Sequence, residues 1–330
     1  MDSSIKNIKI ILKKIFCISL SILCANVVMA NDLSDVKFTI EGQDIETERF
    51  VVEDREYLKA QDREHTYKYY SYEVDESNNK GNYAYKDVFG IERKMDIDTT
   101  VSPNKIVWNK KQTVYDKSTP LNYDMYFGVD VSRHNGNINW KKVKDAGFDF
   151  AFVRIAYRGY GKEGKLYRDK KGIDNLRNAK TNGLKVGAYV FSQSINEKEA
   201  VEEAEFAIKI LEEYKIELDL PLVYDGETIR NDIARSDDID GAQWTKNALA
   251  FCEYVKGKNI KPAIYSNMVW QDYYYDMKKF NDIDIWYADY NPFPQSPYHL
   301  EFWQFSESGK VDGITDDNSF VDLNVRFVKK

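Results

Sequence analysis

The sequence predicts an α/β fold in which an irregular (β/α) barrel of the TIM type follows a small β-rich N-terminal domain. From residue 121 onward, short apolar runs typical of strands alternate with helical patterns. Eight of these runs are present, and eight strands close such a barrel. Residues 31–120 show few helical periodicities and are rich in Tyr and charged residues, which indicates a separate domain.

The first thirty residues have the pattern of a secretory signal peptide. Four lysines precede an apolar stretch at 15–28, and the tripeptide at 28–30 precedes Asn31. The alternative is a membrane-anchoring helix that is never cleaved, although the apolar stretch is short for a span. We therefore expect an exported protein with no stable membrane insertion after cleavage.

Residues 31–120 are predicted to form the β-rich domain. Strand-like runs lie at 36–40 and 49–52, a turn or exposed loop at 75–82, and a linker at 117–120. Its tyrosines are typical of a half-buried β surface, and ligand binding is the alternative. The residues do not distinguish polymer binding, inhibition and assembly as the role of this domain.

Residues 121–330 supply the strand and helix candidates of the barrel. The strands are predicted at 126–131, 150–156, 185–191, 220–225, 262–266, 285–289, 302–305 and 320–323. The helices are predicted at 139–146, 171–182, 197–214 and 243–258. The last three strands have short connections and weak helices, so we expect the barrel to be irregular there.

Composition and charge exclude several functional classes. The chain has 330 residues and a formal net charge of −7, whereas binding to a phosphate backbone needs clustered Lys and Arg, so no nucleic-acid partner is expected. Cys17 and Cys24 lie in the leader, which leaves Cys252 as a small apolar residue within a helix. Because the chain has only three histidines, we predict no histidine-rich metal site and no cofactor.

Polar side chains cluster where the predicted strands end. In such barrels, the carboxyl ends of the strands carry the working residues. Any one of these side chains could instead cap a helix or face solvent, but acidic groups that converge on one mouth indicate a polar site. The residues at these ends are Asp130, Arg154, Ser192, Asp225, Glu227, Ser266, Asp289 and Asp322.

Asp225 and Glu227 form the most informative pair, because they follow an apolar run and are separated by one residue. Residues i and i+2 of a strand share a face, with alpha carbons roughly 6 to 7 Å apart. Two carboxylates at this spacing influence each other's ionisation and suit the cleavage of a glycosidic bond. Gly226 lies between them, and a bulge there would break the shared face.

The segment from about 120 to 330 resembles the family 25 glycoside hydrolases, the Chalaropsis-type lysozymes or N-acetylmuramidases. Several motifs occur in the same order and at suitable spacing, which makes the resemblance specific. In relatives the residue at position 226 is larger and apolar, and we expect the carboxylate pair to function despite the glycine. The motifs include Gly128-Val129-Asp130-Val131-Ser132, Phe152-Val153-Arg154, Gly187-Ala188-Tyr189, Pro221-Leu222-Val223, Ala263-Ile264-Tyr265-Ser266, Ile285-Trp286-Tyr287-Ala288, Trp303-Gln304 and Val321-Asp322-Leu323-Asn324.

The resemblance implies that Glu227 is the general acid and that Asp225, Asp130 and Asp322 are the other catalytic carboxylates. It implies cleavage of the β-1,4 bond between N-acetylmuramic acid and N-acetylglucosamine in peptidoglycan. Crowding among carboxylates would raise the pKa of Glu227 and keep it protonated. Two routes stay open, namely assistance by the acetamido group of the substrate, oriented by Asp225, and inverting attack by water.

The resemblance also suggests a set of substrate-binding residues and a cellular location. Tyr189, Tyr265, Trp303, Arg154 and Asp289 are expected to bind peptidoglycan glycan strands, although core packing is the alternative for each aromatic residue. The expected location is secreted or cell-wall associated. A wall-binding protein without turnover is the alternative function, and a chitinase-like barrel is disfavoured because no longer run of alternating Asp residues precedes Glu227.

Overall fold

The computed structural model describes a barrel and part of the segment that precedes it. The predicted leader at 1–30, the strand at 49–52 and most of the linker at 117–120 lie outside the described residues. Within the described ranges, no helix has the length and apolar content needed to span a membrane. These ranges are 36–37, 39–40, 68–75, 80–86, 92–98, 103–108, 120–229, 232–314 and 320–330.

The described part of the N-terminal segment forms strands of two kinds. Strand β1 (Thr39–Ile40) pairs antiparallel with the barrel sheet, opposite Lys310 and Gly309. The other three strands form a separate antiparallel sheet in the order β2-β3-β4. They are β2 (Lys68–Asp75), β3 (Lys80–Lys86) and β4 (Glu92–Asp98).

The small sheet packs against loops of the barrel through β3. The hydroxyl of Tyr85, whose side chain is buried, donates to Oδ2 of Asp272 at 2.7 Å. The hydroxyl of Tyr83 donates to the backbone carbonyl of Gln295. Asp272 lies in the π turn after β10 and Gln295 in the loop after β11, so the N-terminal sheet contacts the end of the barrel at which those strands finish.

Eight strands close into a barrel, as the sequence predicts. Seven of them run parallel, and the last, β13, pairs antiparallel with both β12 and β5 and thereby closes the ring. Strand β7 lies outside the ring as an antiparallel partner of β6. The strands are β5 (Tyr123–Val131), β6 (Phe150–Arg158), β7 (Leu166–Arg168), β8 (Lys185–Ser192), β9 (Leu222–Gly226), β10 (Pro262–Ser266), β11 (Asp284–Ala288), β12 (Phe302–Lys310) and β13 (Val321–Lys329).

Four α-helices lie where they were predicted, between the earlier strands. Asn139, Asn196 and Asp240 precede three of them, and each side chain accepts a hydrogen bond from a backbone N–H of the first turn, as N-cap residues do. Short 3₁₀ and π turns replace helices before the last strands, in line with the predicted irregularity. The helices are α1 (Trp140–Asp145), α2 (Gly172–Thr181), α3 (Glu197–Glu213) and α4 (Gly241–Gly257).

Large aromatic side chains fill the inside of the barrel. Phe152 stacks on Trp286 with ring centroids 4.7 Å apart, and Phe302 packs edge-on against Phe152 at 5.0 Å. A side chain at position 128 would collide with the ring of Phe150, so Gly128 on β5 makes room for that ring. The inside of the barrel is therefore a packed core, and a cavity opens above it.

Candidate active site

The inward-facing residues of the strands form the barrel core and then, at the carboxyl ends of the strands, line a cavity. On each strand, residues two apart point inward, so the core residue is followed by a residue that lines the cavity. Val223 of β9 is followed in this way by Asp225 and then Glu227. The cavity has a volume of about 390 Å³, and its lining includes Asp130, His134, Arg154, Tyr189, Asp225, Glu227, Tyr265, Trp286, Tyr290, Gln304, Glu307 and Asp322.

Asp225 and Glu227 share the inward face of β9, as the sequence pattern predicts. The pairing of β9 with β8 runs in register from Ala188–Leu222 to Ser192–Gly226, with no bulge. The glycine therefore does not disturb the shared face of the two carboxylates. Asp225 is almost fully buried, whereas Glu227 is half-buried at the cavity wall.

Gly226 points outward, where three aromatic side chains leave no space for a larger residue. A β-carbon built at this position would lie 3.0 Å from the ring of Tyr224, 3.1 Å from the ring of Trp244 and 3.3 Å from the hydroxyl of Tyr275. Trp244 belongs to α4, so the strand end and the helix approach each other closely here. The glycine is explained by this packing and not by the chemistry of the neighbouring carboxylates.

Gln193 holds the main chain of Glu227, which lies just beyond the end of β9. Its Nε2 donates to the carbonyl of Glu227 at 2.6 Å and to the carbonyl of Ser192 at 3.0 Å. Its Oε1 accepts from the hydroxyl of Ser236 at 2.7 Å. The side chain of Gln193 is fully buried, so the amide fixes the backbone of Glu227 with its donor and acceptor both satisfied.

A second carboxylate pair, Asp130 and Asp322, lies across the antiparallel seam of β5 and β13. The two residues face each other in the strand register. Asp130 Oδ2 accepts from Nδ2 of Asn324 at 2.8 Å and from Nε2 of Gln304 at 2.9 Å. The amide oxygen of Asn324 is also bound, because Oδ1 accepts from Nε1 of Trp286 at 2.7 Å.

The environment places the shared proton of this pair on Asp322. Burial raises the pKa of Asp130, but hydrogen bonds from Asn324, Gln304 and Asp322 stabilise its ionised form. Burial and the adjacent charge of Asp130 raise the pKa of Asp322 well above its usual range. Asp322 therefore donates its proton to an ionised Asp130, as two close carboxyl groups commonly do.

Gln304 and Glu307 enter the cavity from β12, and two bulges lie beyond Gln304 in this strand. Gln304 pairs with Asn324, Ser306 with Leu323 and Gly309 with Val321, so β12 contains one extra residue in each interval. Each extra residue reverses the alternation and re-aims the side chains beyond it. The hydroxyl of Tyr290 then contacts both side chains, at 3.1 Å from Gln304 Oε1 and 3.3 Å from Glu307 Oε2.

Tyr189 and Tyr265 line the cavity and also belong to the barrel core. Both rings pack edge-on against Trp286, with centroid distances of 5.8 Å and 5.0 Å. The hydroxyl of Tyr265 donates to Gln304 Oε1 at 3.1 Å. Each tyrosine is nearly buried, so the pair forms the floor of the cavity and presents little ring face for stacking on a sugar.

Trp303 and Asp289, which were predicted to bind substrate, do not line the cavity. Trp303 points outward between Phe302 and Gln304, is fully buried and donates from Nε1 to the carbonyl of Asp289 at 2.9 Å. The carboxylate of Asp289 accepts backbone N–H groups of Asn291 and Gln295 at 3.1 and 2.7 Å, which shapes the following loop. Burial raises the pKa of Asp289 to about 7.

The sequence interpretation selected strand ends by residue type and not by alternation. Trp286 faces the core, and steps of two residues along the chain from it reach Tyr290 and skip Asp289. The same steps from Phe302, which also faces the core, reach Gln304 and skip Trp303. Alternation alone would therefore have predicted Tyr290 and Gln304 as cavity residues. His134, Glu307 and Gln193 carry no such signal, because a turn, a bulge and a loop place them.

Arg154 lines the cavity, as predicted, and is anchored at its base. It follows Phe150 and Phe152 in the inward alternation of β6. Its Nε donates to Oδ2 of Asp169 at 2.9 Å. Burial, with the positive charges of Arg154 and Arg133, lowers the pKa of the nearby His134 below its usual value.

Comparison with known proteins connects this geometry with one family. The sequence model described as "Glycosyl hydrolases family 25" matches residues 129–314. The uncharacterized protein YegX of Escherichia coli strain K12 is 32% identical over 217 residues, which cover 62% of this chain and 71% of YegX. Lysozyme M1 of Streptomyces globisporus is 39% identical over 66 residues, or 20% of each chain.

A solved structure supports the fold. The modular autolysin LytC of Streptococcus pneumoniae superposes with a TM-score of 0.54 at 21% identity, covering 78% of this chain and 58% of LytC. The chain thus spans less than two thirds of LytC. LytC has also been solved with a synthetic peptidoglycan ligand. At this identity, the comparison establishes the shared barrel.

Proposed function

The chain belongs to family 25 of the glycosyl hydrolases and is a glycoside hydrolase, and from this membership we propose that it cleaves peptidoglycan. The bond cut is the β-1,4 bond between N-acetylmuramic acid and N-acetylglucosamine. The observation that carries this proposal is the convergence of Asp225, Glu227, Asp130 and Asp322 on one cavity at the carboxyl ends of the barrel strands. The names of Lysozyme M1 and of the LytC ligand complex are consistent with this substrate.

Glu227 acts as the general acid in this proposal. It lies at the cavity wall, and Gln193 fixes its backbone, so its carboxyl group can meet the departing glycosidic oxygen in a constant position. Asp225, two residues earlier on the same face, orients the acetamido group of the muramic residue. The ionised Asp130 adds negative charge that stabilises the oxocarbenium-like transition state.

The substrate-assisted route and direct attack by water give different products. The acetamido route retains the β configuration at the new reducing end, whereas direct attack by water inverts it. We propose the retaining route, because Asp225 lies beside the acid on the same strand face. Proton NMR of the first product formed distinguishes the two anomers, and an initial α-anomer would overturn the route but not the substrate.

We further propose that the protein is exported by residues 1–30 and acts at the cell wall. The support is the order of lysines, apolar stretch and small residues in the leader. Mass spectrometry of the mature protein is expected to show a chain that begins at Asn31. A membrane-bound chain that retains its leader would instead support an uncleaved anchor.

Digestion of purified peptidoglycan tests the activity. The full mature chain is compared with Glu227→Gln, and the released fragments are identified by mass spectrometry before and after borohydride reduction. Fragments with reducing muramic acid ends, absent with the variant, are expected. Binding of both proteins to the wall without any release would favour the non-catalytic wall-binding protein.

A further inference from the structure

Arg154 is held rigidly in the cavity wall by only one of its donors. Its side chain is 13% exposed, and Nε donates to Asp169. Asp169 is buried and also accepts the backbone N–H groups of Arg133 and Lys171 at 3.1 and 2.9 Å. The guanidinium group therefore has a fixed orientation before any ligand binds.

The terminal nitrogens of Arg154 have no acceptor among the residues that the structure describes. Nη2 is buried and makes no hydrogen bond there, and Nε is the nitrogen that pairs with Asp169. An arginine cannot lose its proton, and unsatisfied donors of a buried charged group cost free energy. Such an arrangement is stable when a ligand supplies the acceptors, and a carboxylate matches the planar fork best.

The neighbourhood of Arg154 differs from that of the carboxylates in the same cavity. His134 lines the cavity close to Arg154, and its lowered pKa favours the neutral ring at neutral pH. Arg133 adds a positive charge, with Nη1 donating to the hydroxyl of Tyr157 at 2.7 Å. The β6 side of the cavity is therefore suited to a negatively charged substrate group, which the acidic residues would repel.

We propose that Arg154 binds a carboxylate carried by the lactyl group of the muramic residue. This inference rests on the proposed function. The lactyl ether distinguishes the muramic residue from N-acetylglucosamine, and its acidic group is either its own free carboxylate or a carboxylate of the attached peptide stem. A fixed guanidinium group in the cavity therefore selects which of the two alternating sugars lies next to the catalytic carboxylates.

The test measures the coupling between Arg154 and the charge of the substrate. Peptide-free glycan strands are prepared with their lactyl carboxylates either free or converted to neutral amides, and strands with intact stems form a third arm. The full mature wild-type chain is compared with Arg154→Gln, with Arg154→Lys, and with Arg177→Gln as a control on an exposed helical arginine. Turnover is measured as kcat and KM, and binding of the same strands by calorimetry.

Wild type is expected to prefer free carboxylates over amides by roughly 10- to 100-fold in kcat/KM, the range for a hydrogen bond to a charged group. Arg154→Gln should lose this preference, Arg154→Lys should keep part of it, and Arg177→Gln should keep all of it. Preference for stem-bearing strands alone would identify the stem as the source of the carboxylate.

Equal use of charged and neutral strands by the wild type would overturn the inference, whether or not the variants fold. Absence of turnover would count against the proposed function alone, because calorimetry still reports the charge preference. Equal binding of all three strand preparations in that case would overturn the inference as well.

Discussion

The cavity has two sides that are built by different rules. On one side, β6, β8 and β9 run parallel, and Arg154, Asp225 and Glu227 follow from simple alternation along each strand. On the other side, the bulged β12 and the antiparallel β13 bring amide side chains to Asp130. The first side presents charged groups to the substrate, and the second holds one carboxylate pair in a defined protonation state.

This difference predicts that the two sides differ in tolerance to substitution. No other group of the protein can replace the carboxylate of a residue that acts directly on the substrate. Asp322, in contrast, acts as a neutral hydrogen-bond donor to Asp130, a role that an amide can also fill. The contrast between the sides can therefore be tested with matched changes of carboxylate to amide.

The largest expected effect is the contrast between Glu227→Gln and Asp322→Asn. Removal of the acid should lower kcat by about 10²- to 10⁴-fold, the usual contribution of general acid catalysis. Asp322→Asn keeps a donor toward Asp130 and should lower kcat by less than about 10-fold. Steady-state rates on purified peptidoglycan, with circular dichroism to verify folding, measure both. Equal losses in the two variants would show that Asp322 must ionise, and the proposed distinction would fail.

The next effect concerns the hydrogen bond by which Gln193 holds the main chain of Glu227. Gln193→Met keeps the volume of the side chain but removes the hydrogen bond to the carbonyl of Glu227. We expect kcat to fall by about 10- to 100-fold with KM little changed, since a small misplacement of the acid costs rate and not affinity. Ser236→Ala, which leaves that bond in place, is the control and should lose less. A rise in KM with unchanged kcat would assign Gln193 to substrate binding.

A smaller effect is expected at Gly226, on stability. Gly226→Val places methyl groups against Tyr224, Trp244 and Tyr275 and should reduce the free energy of unfolding by about 1–3 kcal/mol, as overpacking does. Gly226→Ala needs only a small adjustment and should cost less. Urea titration measures both variants. A valine variant of unchanged stability and activity would show that the outer face of β9 is not tightly packed.

The smallest effect is the change of stability per pH unit, at most about 1.4 kcal/mol for each titrating group. Burial raises the pKa values of Asp289 and Glu203 to about 7, so the folded state binds more protons than the unfolded state between about pH 4 and 7. The contribution of these two groups to the free energy of unfolding should therefore be largest at the acidic end of this range and fall as the pH rises through 7.

Asp289→Asn provides the matched control for this pH dependence. It removes one of the titrating groups and should reduce the slope by up to about 1.4 kcal/mol per pH unit. Thermal or urea unfolding at several pH values measures the slope. An identical slope in wild type and variant would mean that Asp289 ionises normally in the folded protein.

The barrel could be predicted from the sequence because its strands and helices are locally encoded. Apolar runs and helical periodicities placed all eight strands and four helices close to their observed positions. The strand predicted at 320–323 is longer, at Val321–Lys329, and antiparallel. Direction depends on which strands it pairs with, and that information lies far away in the sequence.

The candidate site could be predicted only in part, for the same reason. Asp225 and Glu227 are revealed by two-residue spacing on one strand. Asn324 reaches Asp130 through the antiparallel pairing of β13 with β5, and a bulge in β12 precedes Glu307; no local pattern marks either feature. Trp303 and Asp289 were expected to bind substrate because their residue types suit sugar binding, but the alternation along β11 and β12 turns both side chains away from the cavity.

The hydrogen bond from the side chain of Asn324 to Asp130 joins residues that are 194 positions apart in the sequence. Contacts of such long range form late in folding, because a large loop must close before they can be made. During synthesis, β5 can pair with β6, but its other edge has no partner until β13 has been added and has closed the ring. A partly synthesised chain therefore has an open sheet and lacks the complete set of cavity carboxylates.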